Sequence, residues 1–159
     1  EHPEMKLVIA PHVVSDSHLK EILDKVKRPC IRYTEATEEN VTQADCLIID
    51  CYGLLSSIYR YGEISYIGGG FGVGIHNVLE AAVYGIPVIF GPNNKKFREA
   101  QHLLEQKGGF EVIGYDDFKR LMDKFLSDEA YLQQAGKAAG NYVNHNAGAL
   151  EKIMKDITL

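Results

Sequence analysis

Six short apolar runs recur along this chain, at residues 6–10, 30–33, 46–50, 64–67, 88–90 and 110–113, each followed by a segment long enough to cross over a sheet. Strands so spaced cannot be joined as hairpins, and their near-continuous apolar character suits burial on both faces. The pattern therefore predicts an α/β fold, a Rossmann-like doubly wound parallel sheet covered by helices. Ser15 or Asp16 can cap a helix reaching about Val26, with Leu19, Ile22, Leu23 and Val26 on one face. Further helices fit residues 54–61, 76–84, 97–106 and 116–126, and after Ser127 the alternation gives way to two helical patterns, 129–143 and 149–157. No repeat, low-complexity tract or linker interrupts the chain, so residues 1–159 read as a single domain. The 45% hydrophobic content supplies a core for it.

Charge narrows the partners. Seventeen basic against twenty-two acidic residues give a net charge of −5, which offers no broad field for nucleic acid or an anionic membrane surface. An anionic ligand has to be held locally. Cys30, Cys46 and Cys51 lack zinc-ligand spacing and read as reduced thiols, which points to the cytosol, and no His/Asp/Glu cluster suggests a metal. No apolar run approaches the roughly 20 residues needed to span a bilayer, and no signal-peptide pattern opens the chain, so it reads as soluble.

The stretch ISYIGGGFGVGIHNVLEAAVYGIPVIFGP localises the ligand. Between two β-branched runs lie Gly68, Gly69, Gly70, Gly72 and Gly74, five glycines in seven residues. In open α/β sheets ligands sit beyond the carboxyl ends of strands, and a helix starting near His76 would aim unpaired N–H groups over this loop. The missing side chains then leave room for an anion close to the backbone. A tight turn with close helix packing explains lone glycines equally well. Ile75 occupies the last glycine position of G-x-G-x-x-G and no Gly-Lys-Ser/Thr follows, which disfavours a dinucleotide or a triphosphate. His76 and Asn77 are natural helix-start residues. Glu80, beside the apolar Ala81, Ala82 and Val83, is either stabilised by the helix dipole or an acceptor for a ligand hydroxyl such as a ribose diol.

These residues resemble the 3-deoxy-D-manno-octulosonic acid (Kdo) transferases of lipopolysaccharide synthesis. GGGFGVGIHNVLEAAVYGIPVIFGPNNKKF is similar to that family's G-G-S-F, G-G-H-N-x-L-E and P-V-x-x-G-P-x-x-x-N-F run. APH at residues 10–12 resembles P-R-H, DCYGLL at 50–55 resembles D-T-x-G-E-L, and NAGALEKI at 146–153 resembles the family's N-x-G-A tail. The resemblance implies a two-domain glycosyltransferase of GT-B architecture whose C-terminal domain holds the donor, CMP-Kdo. This chain matches that domain alone, from its second strand onward, so the acceptor domain for the lipid A precursor, the membrane anchor and the catalytic carboxylate have no counterpart in it. The implied whole enzyme works at the cytoplasmic face of the bacterial inner membrane. The chain itself is expected to be a soluble donor-binding fragment without a catalytic base and without a cofactor or metal.

Carried over residue by residue, the resemblance sets the CMP phosphate over Gly69, Gly70 and the N–H groups near His76 and Asn77, with Phe71 in the same motif. It sets Glu80 on the ribose, and Pro11, His12, Tyr52 and Gly53 beside the cytosine or phosphate. Gly70 stands for a family Ser, so a side chain there should be tolerated, whereas one at Gly69 should either clash with the ligand or forbid the φ that the backbone needs. Ile75 replaces a Gly, Leu54 a Glu, and the Arg expected after Pro11 is absent, leaving Lys95, Lys96 or Arg98 as substitutes. The implied chemistry is inverting attack by a lipid hydroxyl on the anomeric carbon, with the loop amides stabilising departing CMP. A UDP-sugar transferase of the same architecture, or a non-catalytic nucleotide-sugar binding module, would share the glycine loop and Glu80.

Overall fold

A computed structural model describes residues 2–148, and the helical pattern expected over 149–157, with most of the NAGALEKI tail, lies outside the described residues. The chain divides into two compact units, Glu1–Ile58 and Tyr59–Leu159. All six expected strands form, every pairing is parallel, and the expected α/β class is the one observed. They are hydrogen-bonded in two sets of three, one set in each unit.

In the first unit β1 (Leu7–Ile9) and β2 (Cys30–Arg32) flank β3 (Cys46–Ile48), with Cys46 opposite both Leu7 and Cys30. The central strand is the buried one: Cys46 and Ile48 are enclosed, whereas Leu7 and Val8 on the edge are exposed. Burial, followed by the neighbouring Cys30 thiol, pushes the Cys46 thiol up to about 12, so it packs as a small apolar group. Helix α1 (Asp16–Lys25) starts where the Ser15 hydroxyl accepts the His18 N–H at 3.4 Å, and a Glu21–Lys25 pair one turn apart braces its exposed face. Its apolar stripe, Leu19 with Ile22, Leu23 and Val26, covers Ile9, Cys46 and Ile48. The helix stops at extended Val26, three residues before Pro29. Helix α2 (Leu55–Ile58) is a single turn, and Tyr59–Tyr61 continue as 3₁₀ helix, so the 54–61 segment is helical but not one α-helix.

In the second unit β5 (Val88–Phe90) lies between β4 (Ser65–Ile67) and β6 (Gly109–Glu111), and its three side chains are fully buried. Around it pack α3 (Leu79–Ala82), α4 (Arg98–Glu105), α5 (Tyr115–Ser127) and α6 (Glu129–Asn146). One apolar cluster joins Ile67, Val78, Ala81, Val88, Phe90, Leu103 and Ala139. At about 25 cal/mol per Å² of apolar surface removed from water, a cluster of this composition is the main stabilising element of the unit. Phe125 of α5, Phe110 of β6 and Tyr131 of α6 form a second aromatic contact, with the Phe110 and Phe125 rings edge to face at 5.1 Å.

Candidate functional site

The chain leaves β4 at Gly68, on the carboxyl side of β4 and β5, where open α/β sheets hold ligands. The next eight residues form a loop defined almost wholly by main-chain bonds. The Gly72 N–H donates to the Gly69 carbonyl at 2.9 Å, closing a tight turn, and the His76 N–H donates to the Gly68 carbonyl at 3.1 Å. From the loop after β5, the Asn93 N–H donates to the Gly70 carbonyl at 2.9 Å and the Asn93 amide nitrogen to the Gly72 carbonyl at 2.6 Å. Four loop carbonyls are thus tied to partners within the unit. Among the described residues no backbone hydrogen bond engages the N–H groups of Gly69, Phe71 or Val73. A segment that engages its acceptors and leaves its donors open attracts anions.

The glycines have two different causes. Gly69 has φ +88°, and a Cβ on it would fall on the Gly74 carbonyl. At Gly70 a Cβ would stand 2.6 Å from the Gly91 nitrogen and 2.7 Å from its Cα, where main chain meets main chain. This overturns the expectation that Gly70 tolerates a serine side chain, and of the two causes expected for Gly69, ligand clash or backbone conformation, it shows the second. A Cβ at Gly68 or Gly72 would make only ordinary contacts, 3.8 Å from His76 Cδ2 and 3.6 Å from the Gly69 carbonyl oxygen.

The expected helix over 76–84 is a second correction. α3 spans only Leu79–Ala82, because the Asn77 side-chain oxygen accepts the Leu79 N–H at 3.0 Å in a local turn that competes with helix before that point. It ends as the chain turns through Gly85 at φ +70° toward Pro87. The His76 N–H, expected to face a ligand, is instead bound to Gly68. The His76 ring packs across Gly68 and Gly69, with its Cδ2 3.4 Å from where a Gly69 Cβ would lie. The other face of Asn77 orients Glu80: its amide nitrogen donates to Glu80 Oε1 at 3.0 Å. Burial, and then the Glu80 carboxylate, raise the Tyr59 phenol above its ordinary value, which places that charge beside Tyr59.

Phe71 lies with its ring against Gly91 and lines a groove of about 360 Å³ with Tyr66, Val112, Gly114, Tyr115 and Phe118. That lining is apolar and carries no charge, so it does not serve a phosphate. Lys95, Lys96 and Arg98 follow the β5 loop, are exposed, and have no carboxylate partner among the described residues. Among those residues no group of three metal-ligating side chains converges, and no helix is long and apolar enough to cross a membrane.

Of the residues expected in the first unit, Pro11 and His12 follow β1, with Pro11 half-buried and His12 exposed. Tyr52 and Gly53 follow β3; Tyr52 is exposed and Gly53 has φ +90° with nothing within 4 Å of a Cβ. All four lie just beyond strand ends. The loop of Tyr52 and Gly53 is rooted by a residue whose role the sequence did not reveal, Asp50, which accepts the Thr34 hydroxyl at 2.6 Å and the Thr34 N–H at 3.0 Å. Desolvation pushes Asp50 up, but the Thr34 bonds and nearby Arg32 outweigh it and hold its carboxyl below the usual range. Asn93 and Asn94 were missed as well, since an Asn-Asn pair after a strand reads only as a turn.

No family model matches the chain. A 3-deoxy-D-manno-octulosonic acid transferase of Aquifex aeolicus is 31% identical over 128 residues, which cover 79% of this chain and 35% of that protein. The transferase of Rickettsia felis is 28% identical over 149 residues, 88% of this chain and 31% of the relative. That of Haemophilus influenzae is 29% identical over 159 residues, 96% of this chain and 36% of the relative. The chain spans about a third of the length of these curated relatives. Among solved structures, the C-terminal CMP-Kdo binding domain of WaaA from Acinetobacter baumannii has the same fold: TM-score 0.72, 18% identity, 89% of this chain and 75% of that one.

Proposed function

We propose, on the premise that this chain is similar over most of its length to a third of a Kdo transferase, that it is the donor-binding domain of such an enzyme. It holds CMP-Kdo while a lipid A precursor, recognised elsewhere in a longer protein, attacks the anomeric carbon with inversion. The observation that carries this reading is the loop after β4, whose carbonyls are engaged by Gly72, His76 and Asn93 while the N–H groups of Gly69, Phe71 and Val73 stay open. Such donors fit a phosphate. They bind it more strongly as charge accumulates on departing CMP, which lowers the barrier to transfer.

Each residue then has a part. The loop from Gly69 to Gly74 takes the phosphate, with the His76 ring as its wall. Glu80, held by Asn77, accepts the ribose hydroxyls. Lys95, Lys96 and Arg98 supply the cationic charge for the phosphate. No residue here acts as the base that deprotonates the acceptor, so the purified chain should transfer no Kdo to a lipid A precursor. Transfer by the chain alone would refute the division of labour.

The binding reading is tested by calorimetric titration with CMP and UDP. CMP should bind weakly and outcompete UDP. Preference for UDP would move the protein to the UDP-sugar transferases, and absence of both would remove the nucleotide reading.

A further inference from the structure

The loop after β4 does not hold itself in shape alone. Two of its carbonyls, those of Gly70 and Gly72, are engaged by one residue of another loop, Asn93, through its main-chain N–H at 2.9 Å and its side-chain nitrogen at 2.6 Å. Asn93 is mounted on a rigid base. Its neighbour Asn94 is fully buried, and the Asn94 side-chain nitrogen donates to the Gly91 carbonyl at 2.9 Å and to Glu111 Oε2 at 2.6 Å. The Gln101 side chain donates to Asn94 Oδ1 at 2.6 Å, which fixes the amide from its other end. Strand β6, through Glu111, and helix α4, through Gln101, therefore fix the β5 loop, and Asn93 carries that order to the β4 loop.

We infer that Asn93 is a positioning residue for the donor site: by tying down the Gly70 and Gly72 carbonyls it keeps the intervening and following N–H groups turned toward the ligand. The inference rests on the proposed reading of those N–H groups as the phosphate cradle. A peptide unit is rigid, so fixing the Gly72 carbonyl fixes the Val73 N–H on the same plane, and fixing the Gly70 carbonyl fixes the Phe71 N–H. The two open donors Phe71 and Val73 are each the other half of a peptide that Asn93 holds. A free loop would have to be ordered by the ligand and would bind more weakly by that cost.

This role separates from simple stabilisation because Asn93 is exposed. Removing its side chain opens no cavity and leaves the Gly72 carbonyl to water, so the melting temperature of Asn93→Ala should stay close to wild type. Two other readouts should change. The Gly72 N–H, bound to the Gly69 carbonyl at 2.9 Å, should exchange with solvent about three- to tenfold faster as the turn loosens. The CMP dissociation constant should rise by a similar factor. Asn93→Asp keeps the shape but turns a carboxylate oxygen on the Gly72 carbonyl, and should exceed the alanine effect on both. Unchanged Gly72 exchange in both variants would overturn the inference, as would faster exchange with unaltered CMP affinity. If the wild-type chain binds no CMP, the donor-site reading fails with it, while the exchange rates alone still decide whether Asn93 orders the loop.

Discussion

Two loops leave their strands toward the carboxyl side, and they are built on opposite plans. The loop after β4, Gly68 to Ile75, is held along its length by main-chain bonds and by Asn93, and a Cβ at Gly69 or Gly70 would strike backbone. The loop after β3 is held at its root, where Asp50 accepts two bonds from Thr34, and beyond that Tyr52 and Gly53 stand in the open. The first has its shape before any ligand arrives; the second has room to adjust. The first plan suits an anion, since preorganisation matters most where charge develops.

The comparison breaks most readily at Gly70. Gly70→Ser sets a Cβ into the Gly91 main chain, which neither rotamer change nor side-chain movement relieves, and should cost about 3 kcal/mol. Thermal denaturation checks this; a wild-type melting temperature would mean the β4 loop is looser than described. Next in size is Glu80→Ala, which on the proposed ribose role should weaken CMP binding by about 1–3 kcal/mol with little change in melting, since its Asn77 partner can turn to water. Unaltered affinity would remove Glu80 from the ribose.

Smaller effects belong to the β3 loop. Gly53→Ala meets no atom but must hold φ +90°, so it should cost about 1–2 kcal/mol, well short of Gly70→Ser. Equal losses at both positions would erase the contrast between the loops. Smallest is the pH dependence from Asp50. Its folded pKa lies below the unfolded value, so its contribution is complete above the ordinary carboxylate pKa of about 3.9 and fades as pH falls through the folded value. Asp50→Asn should flatten the stability profile in that acid range and leave it parallel to wild type near neutrality.

What was legible from sequence divides along physical lines. The strands were legible because each is a short apolar run with no competing pattern; β5 was delimited to the residue, Val88–Phe90. The start of α1 was legible because Ser15 and Asp16, either of which can cap, precede an amphipathic run; the structure selects Ser15. The start of α3 was not, since Asn77 can cap a helix or make a local turn, and only the path of the loop before it selects the turn. The cause of the glycines was hidden for a different reason: the atoms that exclude a side chain at Gly70 belong to Gly91, in another loop. Asn93 and Asn94 were hidden likewise, because their partners Gly72 and Glu111 lie in other elements.

The central claim is that open backbone N–H groups after β4 receive a phosphate. Its most direct test follows the amide resonances of the isotopically labelled chain during titration with CMP and, separately, with cytidine, which has the base and ribose but no phosphate. CMP should shift the Gly69, Phe71 and Val73 amides, while cytidine leaves them nearly unmoved and perturbs only residues at the base and ribose. Equal shifts from both ligands, or CMP shifts confined to the apolar groove of Tyr66, Tyr115 and Phe118, would contradict the account.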